Sequence, residues 1–239
     1  MSGHSHFSSI KHKKGITDAK RGKTFSKLAR MISITAKDGS DPERNSKLRQ
    51  VLEEAKNFNM PRENIERAIK KGSGEIEGEK LEEITYEVFG SKGAAIIIEG
   101  ITDNKNRTLS EIKKTLQKYQ GKLAESGSVK WLFEKKGLIT LNVDNNQESL
   151  ELRAIESGAE DICYSKKENI LEVYTKPEDL EKIKKSLESR DVQIISSLLI
   201  WSAKKQIELT EKELEFYKKF FEELTENDAV QDIYSNLEI

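Results

Sequence analysis

The chain has 239 residues, 35% hydrophobic and 35% charged, with 41 basic and 42 acidic side chains. No apolar run approaches the roughly 18 residues of a membrane-spanning helix, and the start MSGHSHFSSIKHKKG lacks the apolar region of a secretory signal. The single cysteine, Cys163, excludes an internal disulfide and any cysteine-built metal cluster, so a soluble, reduced, cytoplasmic protein is expected.

The near-zero net charge conceals an asymmetry. Residues 1–37 carry nine Lys/Arg against Asp18 alone, whereas residues 208–239 carry ten acids and three lysines. A cationic head on a polar chain points to a polyanionic partner at that end.

Residues 1–16 are poor in apolar side chains and read as an arm. From about 18 to 37, Phe25, Leu28, Ala29, Ile32 and Ala36 follow helical spacing, with Lys20, Lys23, Lys27, Arg30 and Lys37 on the opposite side. Leu48, Val51, Leu52 and Ala55 predict a second helix. A third begins with Pro61 at its first position, packs through Ile65, Ala68 and Ile69, and ends at Gly72. GSGEIEGEK (72–80) reads as a linker. The period then changes to two: Ile84, Tyr86 and Val88 alternate, GSKG (90–93) turns, and AAIIIE (94–99) is a buried strand. Leu109, Ile112, Leu116 and Tyr119 predict a helix, and Val129, Trp131 and Phe133 another alternating strand.

A strand at 138–143, a helix at 147–157, strands at 160–164 and 170–174, a helix from Pro177 and a strand at 192–201 give the order βαββαβ, the ferredoxin-like plan. Thr210 and Glu213 form a capping box for a helix burying Leu214, Tyr217, Phe221 and Leu224, and a strand near 229–236 follows. The expected fold class is α+β: a small N-terminal helical bundle followed by two ferredoxin-like-type domains, one inserted in the other. The expected boundaries are 1–79 for the arm and helical domain, 80–135 plus 204–239 for a discontinuous domain, and 136–203 for the inserted domain.

Catalytic motifs are missing. There is no GxxxxGK[ST], no GxGxxG after a strand, no GxSxG and no HExxH. His4, His6 and His12 lack thiolate or carboxylate partners nearby in sequence, and Cys163 reads as a buried structural thiol. No enzyme activity, metal, cofactor or small-molecule substrate is expected. Lys20, Arg21 and Lys23 crowd the first turn of their helix, where the backbone dipole is already positive. Each cation there costs a few tenths of a kcal/mol, roughly, unless an anion lies against it. No array of aromatics suited to base stacking stands out, so the expected contacts are to phosphate, which position a protein without reading sequence.

The stretches IKHKKG (10–15), DAKRGKTFSKLAR (18–30), NMPRENIERAIKKG (59–72), DNKNRT (103–108) and GSVKWLFEKKG (127–137) together resemble the YebC/PmpR family, to which the mitochondrial translational activator of cytochrome c oxidase also belongs. Phe7 stands where the family usually has Trp. The resemblance implies a three-domain, non-enzymatic protein acting either as a ribosome-associated factor or as a DNA-binding transcriptional regulator. It places nucleic-acid contact at Lys11, His12, Lys13, Lys14, Lys20, Arg21, Lys23, Lys27 and Arg30. It adds Asn104 and Arg107, with Asn104 equally a candidate helix cap; Asn106 or Thr108 could fill that capping role instead. Met60 is expected in the core. A ribosomal RNA or ribosome partner is preferred over DNA, because a basic arm without base-reading side chains suits shaped RNA better than an operator.

Overall fold

The computed structural model describes residues 6–8, 18–143, 146–166 and 169–239, with 6–8 and 18–20 described by backbone alone. In chain order the elements begin with β1 (His6–Ser8), α1 (Asp18–Ala36), α2 (Ser46–Asn57), α3 (Arg62–Ser73), β2 (Glu82–Phe89) and β3 (Ala95–Thr102). Next come α4 (Lys105–Lys118), β4 (Lys122–Leu123), β5 (Phe133–Asn142), α5 (Gln147–Glu156) and β6 (Asp161–Ser165). The chain closes with β7 (Ile170–Thr175), α6 (Leu180–Glu188), β8 (Ile194–Ala203), α7 (Glu211–Thr225) and β9 (Val230–Ser235). The architecture is α+β, with a five-stranded sheet in the order β1-β9-β3-β2-β4 and a four-stranded sheet in the order β6-β7-β5-β8.

The chain forms two compact units. One is built on Phe7–Val129 and Thr210–Ile233, the other on Lys130–Leu209 and Tyr234–Ile239. In the first, the apolar stripe of α1 (Leu28, Ile32, Ala36) meets Leu48, Val51, Leu52 and Ala55 of α2, and Met60 and Ala68 complete the cluster. Asn45 sets the turn between α1 and α2. Its Oδ1 accepts from Leu48 N at 3.0 Å while its Nδ2 donates to Thr35 O and Gly39 O, both at 2.8 Å. Two local expectations need correction. Pro61 is the N-cap of α3, not its first helical residue, and Gly72 lies inside α3, with Gly74 (φ +81°) closing it. Gly72 is there for packing. A Cβ on it would lie 2.3 Å from the Ser33 carbonyl oxygen of α1.

Strands β2 and β3 pair antiparallel along their full lengths. Lys92 (φ +58°) and Gly93 (φ +81°) make the turn between them. The buried strand residues Ile84, Val88 and Ala95–Ile98 share this unit with Ile112 and Leu116 of α4 and the aromatic face of α7, Tyr217, Phe220 and Phe221. The Phe220 ring stacks on Tyr119 at 5.0 Å. The predicted Thr210–Glu213 capping box is present at the start of α7, although Leu214 is only partly buried.

The second unit carries the βαββαβ order, with β5 antiparallel to both β7 and β8 and β6 antiparallel to β7, which is the ferredoxin-like arrangement. Ile139, Leu141, Leu171 and Val173 pack against Ala154 of α5 and Leu180, Ile183 and Leu187 of α6. The separate strand expected at Val129–Phe133 does not form. Val129 lies in a turn, Lys130–Leu132 is a single 3-10 turn, and Phe133 opens one unbroken strand that runs on to Asn142. Gly137 permits that continuity. A Cβ there would meet Thr175 Oγ1 at 2.2 Å and Leu180 Cδ1 at 2.8 Å, so the glycine inside KKG marks close packing instead of a turn. Cys163 is half-buried, not fully buried; burial and the facing Glu172 push its thiol pKa up, away from a reactive thiolate.

Candidate nucleic-acid interface

Of the eleven residues singled out by sequence, Lys11, His12, Lys13 and Lys14 lie outside the described residues, and Lys20 is placed only as part of the α1 backbone. Arg21 is exposed on α1. Lys23 forms an ion pair with Glu226, just beyond the C-terminal end of α7. One of the cations near the start of α1 is therefore met by the chain's own acidic segment.

Lys27 corrects the expected solvent-facing placement. It is 2% exposed, and its Nζ donates to the Thr225 carbonyl at 2.7 Å. That carbonyl belongs to the last turn of α7, where unpaired carbonyls concentrate partial negative charge and a lysine is a favourable partner. Burial pulls the Lys27 pKa down to about 8; Asp228 and Asp232 oppose that shift, and Lys23 adds to it. Arg30 is half-buried and donates from Nη1 to Ile101 O at 3.3 Å, while Lys37 bonds Leu81 O. The polar side of α1 is thus largely a docking seam within its own unit, which helical periodicity could not distinguish from a solvated face.

Asn104 is the N-cap of α4: its Oδ1 accepts from Arg107 N at 3.1 Å. Asn106 and Thr108 lie within the helix, and Thr108 instead shares a 2.8 Å hydrogen bond with Thr102. Arg107 pairs with Asp103 at 2.6 Å. Burial would raise the Asp103 pKa. Hydrogen bonds from its own backbone and from Arg107, with Arg30 nearby, outweigh that and hold it below the usual carboxylate range.

Two clefts gather these groups. Lys23, Arg30 and Arg107 converge on one of about 560 Å³, but Glu111, Glu223, Glu226 and Asp228 line it too, leaving little positive potential. The other, about 540 Å³ between α1 and α3, has a different balance. Arg30, Lys37, Arg67 and Lys71 face it with Glu79 as the lone carboxylate of its lining, over a floor that includes Phe25 and Met60. Arg67 and Lys71 belong to the NMPRENIERAIKKG stretch; the sequence suggested Arg67 only as the i,i+4 partner of Glu63 on a solvated face and did not single out Lys71. Their four-residue spacing on one face was the available signal.

A loop far along the chain is also held firmly. The buried Glu87 carboxylate accepts from Gly127 N and Val129 N, both at 2.6 Å, fixing the GSV of GSVKWLFEKKG. Charge-assisted bonds of this kind are among the stronger ones available to a carboxylate. Beyond it the structure places Trp131 in the open, 66% exposed, where a residue of an alternating strand was expected.

Among the described residues no group of three or more His, Cys, Asp or Glu could hold a metal ion, and no helix is long and apolar enough to cross a membrane. Comparison with known proteins covers nearly the whole chain. Residues 5–75 match the model of the TACO1/YebC protein N-terminal domain, and residues 81–237 match that of the TACO1/YebC second and third domain. A probable transcriptional regulatory protein of Thermoanaerobacter pseudethanolicus is 43% identical, with 100% of this chain and 98% of the relative aligned. One from Syntrophus aciditrophicus is 45% identical over 100% of this chain and 96% of its own length. The crystal structure of a conserved hypothetical protein from Aquifex aeolicus superposes with a TM-score of 0.87 at 42% identity, covering 96% of this chain and 95% of the other. The chain belongs to the TACO1/YebC family.

Proposed function

We propose that this protein is a non-enzymatic, nucleic-acid-binding regulator of gene expression whose partner is ribosomal RNA. The observation that carries the reading is the α1–α3 cleft, where Arg30, Lys37, Arg67 and Lys71 outnumber Glu79 four to one. It follows directly on the segment bearing Lys11, His12, Lys13, Lys14, Lys20 and Arg21, which would extend the same phosphate contact. Arg107 and Asn104 take a flanking role, Arg107 through its exposed guanidinium and Asn104 by capping the helix that presents it. Lysine and arginine contacts of this kind track a backbone and leave sequence unread, which suits a folded RNA of fixed shape.

The names of the relatives favour a second reading, DNA-bound transcriptional control. Ultraviolet crosslinking in cells, with RNA and DNA partners sequenced from one sample, separates the two. Reads concentrated on one ribosomal RNA region support the first. Reads concentrated on a few promoters overturn it in favour of the second.

A further inference from the structure

The most exposed large apolar side chain among the described residues is Trp131, which follows Lys130 in the chain and has the Lys204 ammonium on its carbonyl. It sits in the 3-10 turn Lys130–Leu132 that leads into β5. Lys204, just past β8, pins that turn twice: its backbone N donates to Leu132 O at 2.9 Å and its Nζ to Trp131 O at 2.8 Å. The ring is therefore presented from a fixed backbone. The second tryptophan, Trp201, pairs across the sheet with Lys135. The Lys135 ammonium lies 4.8 Å from its ring centre and that of Lys130 lies 5.6 Å away. Glu134, the nearest acid along β5, points to the opposite face by strand alternation and pairs with Lys136 at 3.1 Å.

We propose that Trp131, with Lys130, Lys135 and Lys204, is a docking surface for single-stranded RNA. An unpaired base stacks on the Trp131 indole, and the three ammonium groups take the flanking phosphates. Aromatic rings beside a positive surface are the recurring equipment for sequence-tolerant binding of single strands. Charge complementarity selects this occupant over a protein, because lysine is depleted from the cores of protein–protein interfaces. The inference rests on the RNA reading for its partner class but concerns residues in the other compact unit, so the two can fail separately.

The chain has two tryptophans, so Trp201→Phe leaves Trp131 as the lone indole reporter in the full-length protein. The probes are a fluorescently labelled oligouridylate of about ten nucleotides, the length scale of one single-strand site, and an RNA duplex of equal length. The expected result is saturable quenching of Trp131 by the single strand and none by the duplex. Trp131→Ala should weaken single-strand binding, read by anisotropy, about tenfold, with Trp131→Phe restoring most of it. Lys130→Gln and Lys204→Gln should each flatten the log–log salt slope by about 0.7. Unchanged Trp131 emission at RNA concentrations where anisotropy shows saturation overturns this surface and leaves the cleft reading standing. Equal quenching by single strand and duplex also overturns it, since a paired base cannot stack on the ring. Absence of single-strand binding by anisotropy overturns this surface, while the cleft reading is decided by the crosslinking experiment.

Discussion

Replacing Lys27 with methionine tests whether the basic helix is seated on its own chain as described. The side chain is 2% exposed, and its pKa is about 8 against 10.5 when unburied. Between those values the unfolded chain holds a proton that the folded chain has released, so the linkage makes stability rise with pH through this window. Below pH 8 Lys27 is charged in both states and the folded protein carries the full cost of the buried ammonium. Between pH 7 and pH 9.5 the relief amounts to about 2 kcal/mol. Methionine keeps the length and apolar stem but has no proton to release, and it leaves the Thr225 carbonyl without this donor. The wild type should therefore gain about 2 kcal/mol relative to Lys27→Met between the two pH values, whatever the other titrating groups contribute to both proteins. Urea unfolding followed by circular dichroism at 222 nm reads this, because α1–α4 and α7 all belong to the unit that holds Lys27. Parallel pH dependence of the two proteins would refute a buried, depressed Lys27.

Gly72→Ala should destabilise the same unit by about 1–3 kcal/mol despite alanine's better helix propensity, because the new methyl meets the Ser33 carbonyl and the contact can be relieved only by parting α3 from α1; thermal melting reads the loss. Glu87→Gln leaves one acceptor oxygen for two backbone donors, so it should cost about 1–3 kcal/mol and speed amide exchange at Gly127 and Val129 selectively, as read by hydrogen exchange. Asn104→Ala should lose about 1 kcal/mol through the missing cap, with Asn104→Ser recovering most of it. If serine restores the melting temperature but not RNA affinity, Asn104 contacts the partner as well as capping the helix.

Elements set by periodicity were legible from the residues alone. The stripe Leu28–Ile32–Ala36, the inward face Leu180–Ile183–Leu187 and the Thr210–Glu213 box all stand where their spacing placed them. What could not be read is whatever depends on a neighbour distant in sequence. Gly72 resembles a helix stop until α1 is laid against it, and nothing in the local sequence shows that Gly137 is packed closely against Thr175 and Leu180. Trp131 illustrates the same limit at the candidate site. Alternation with Val129 and Phe133 implies a strand, but Glu87 and Lys204 hold the segment as a loop and a turn.

The basic head shows why charge counting alone overstates a phosphate contact. Nine cations in residues 1–37 would allow a very steep salt dependence if each neutralised a phosphate. Four of those on or just after α1 are engaged internally: Lys23 with Glu226, Lys27 with Thr225 O, Arg30 with Ile101 O and Lys37 with Leu81 O. Lys27 is the most committed, because reaching a phosphate would require moving a buried side chain out from under the end of α7. Lys23 is the least committed, since an exposed ion pair is worth no more than about 1 kcal/mol and a phosphate can replace the carboxylate. Charge neutralisation should therefore sort the helix. Arg67→Gln or Lys71→Gln should each flatten the log–log salt slope of ribosomal RNA binding by about 0.7–0.9 with little change in stability, whereas Lys27→Met should change stability and its pH dependence while leaving the slope in place. A reduced slope in Lys27→Met with an unchanged one in Arg67→Gln and Lys71→Gln would mean that the phosphates meet the α1–α7 seam, and that α7 must move aside for binding.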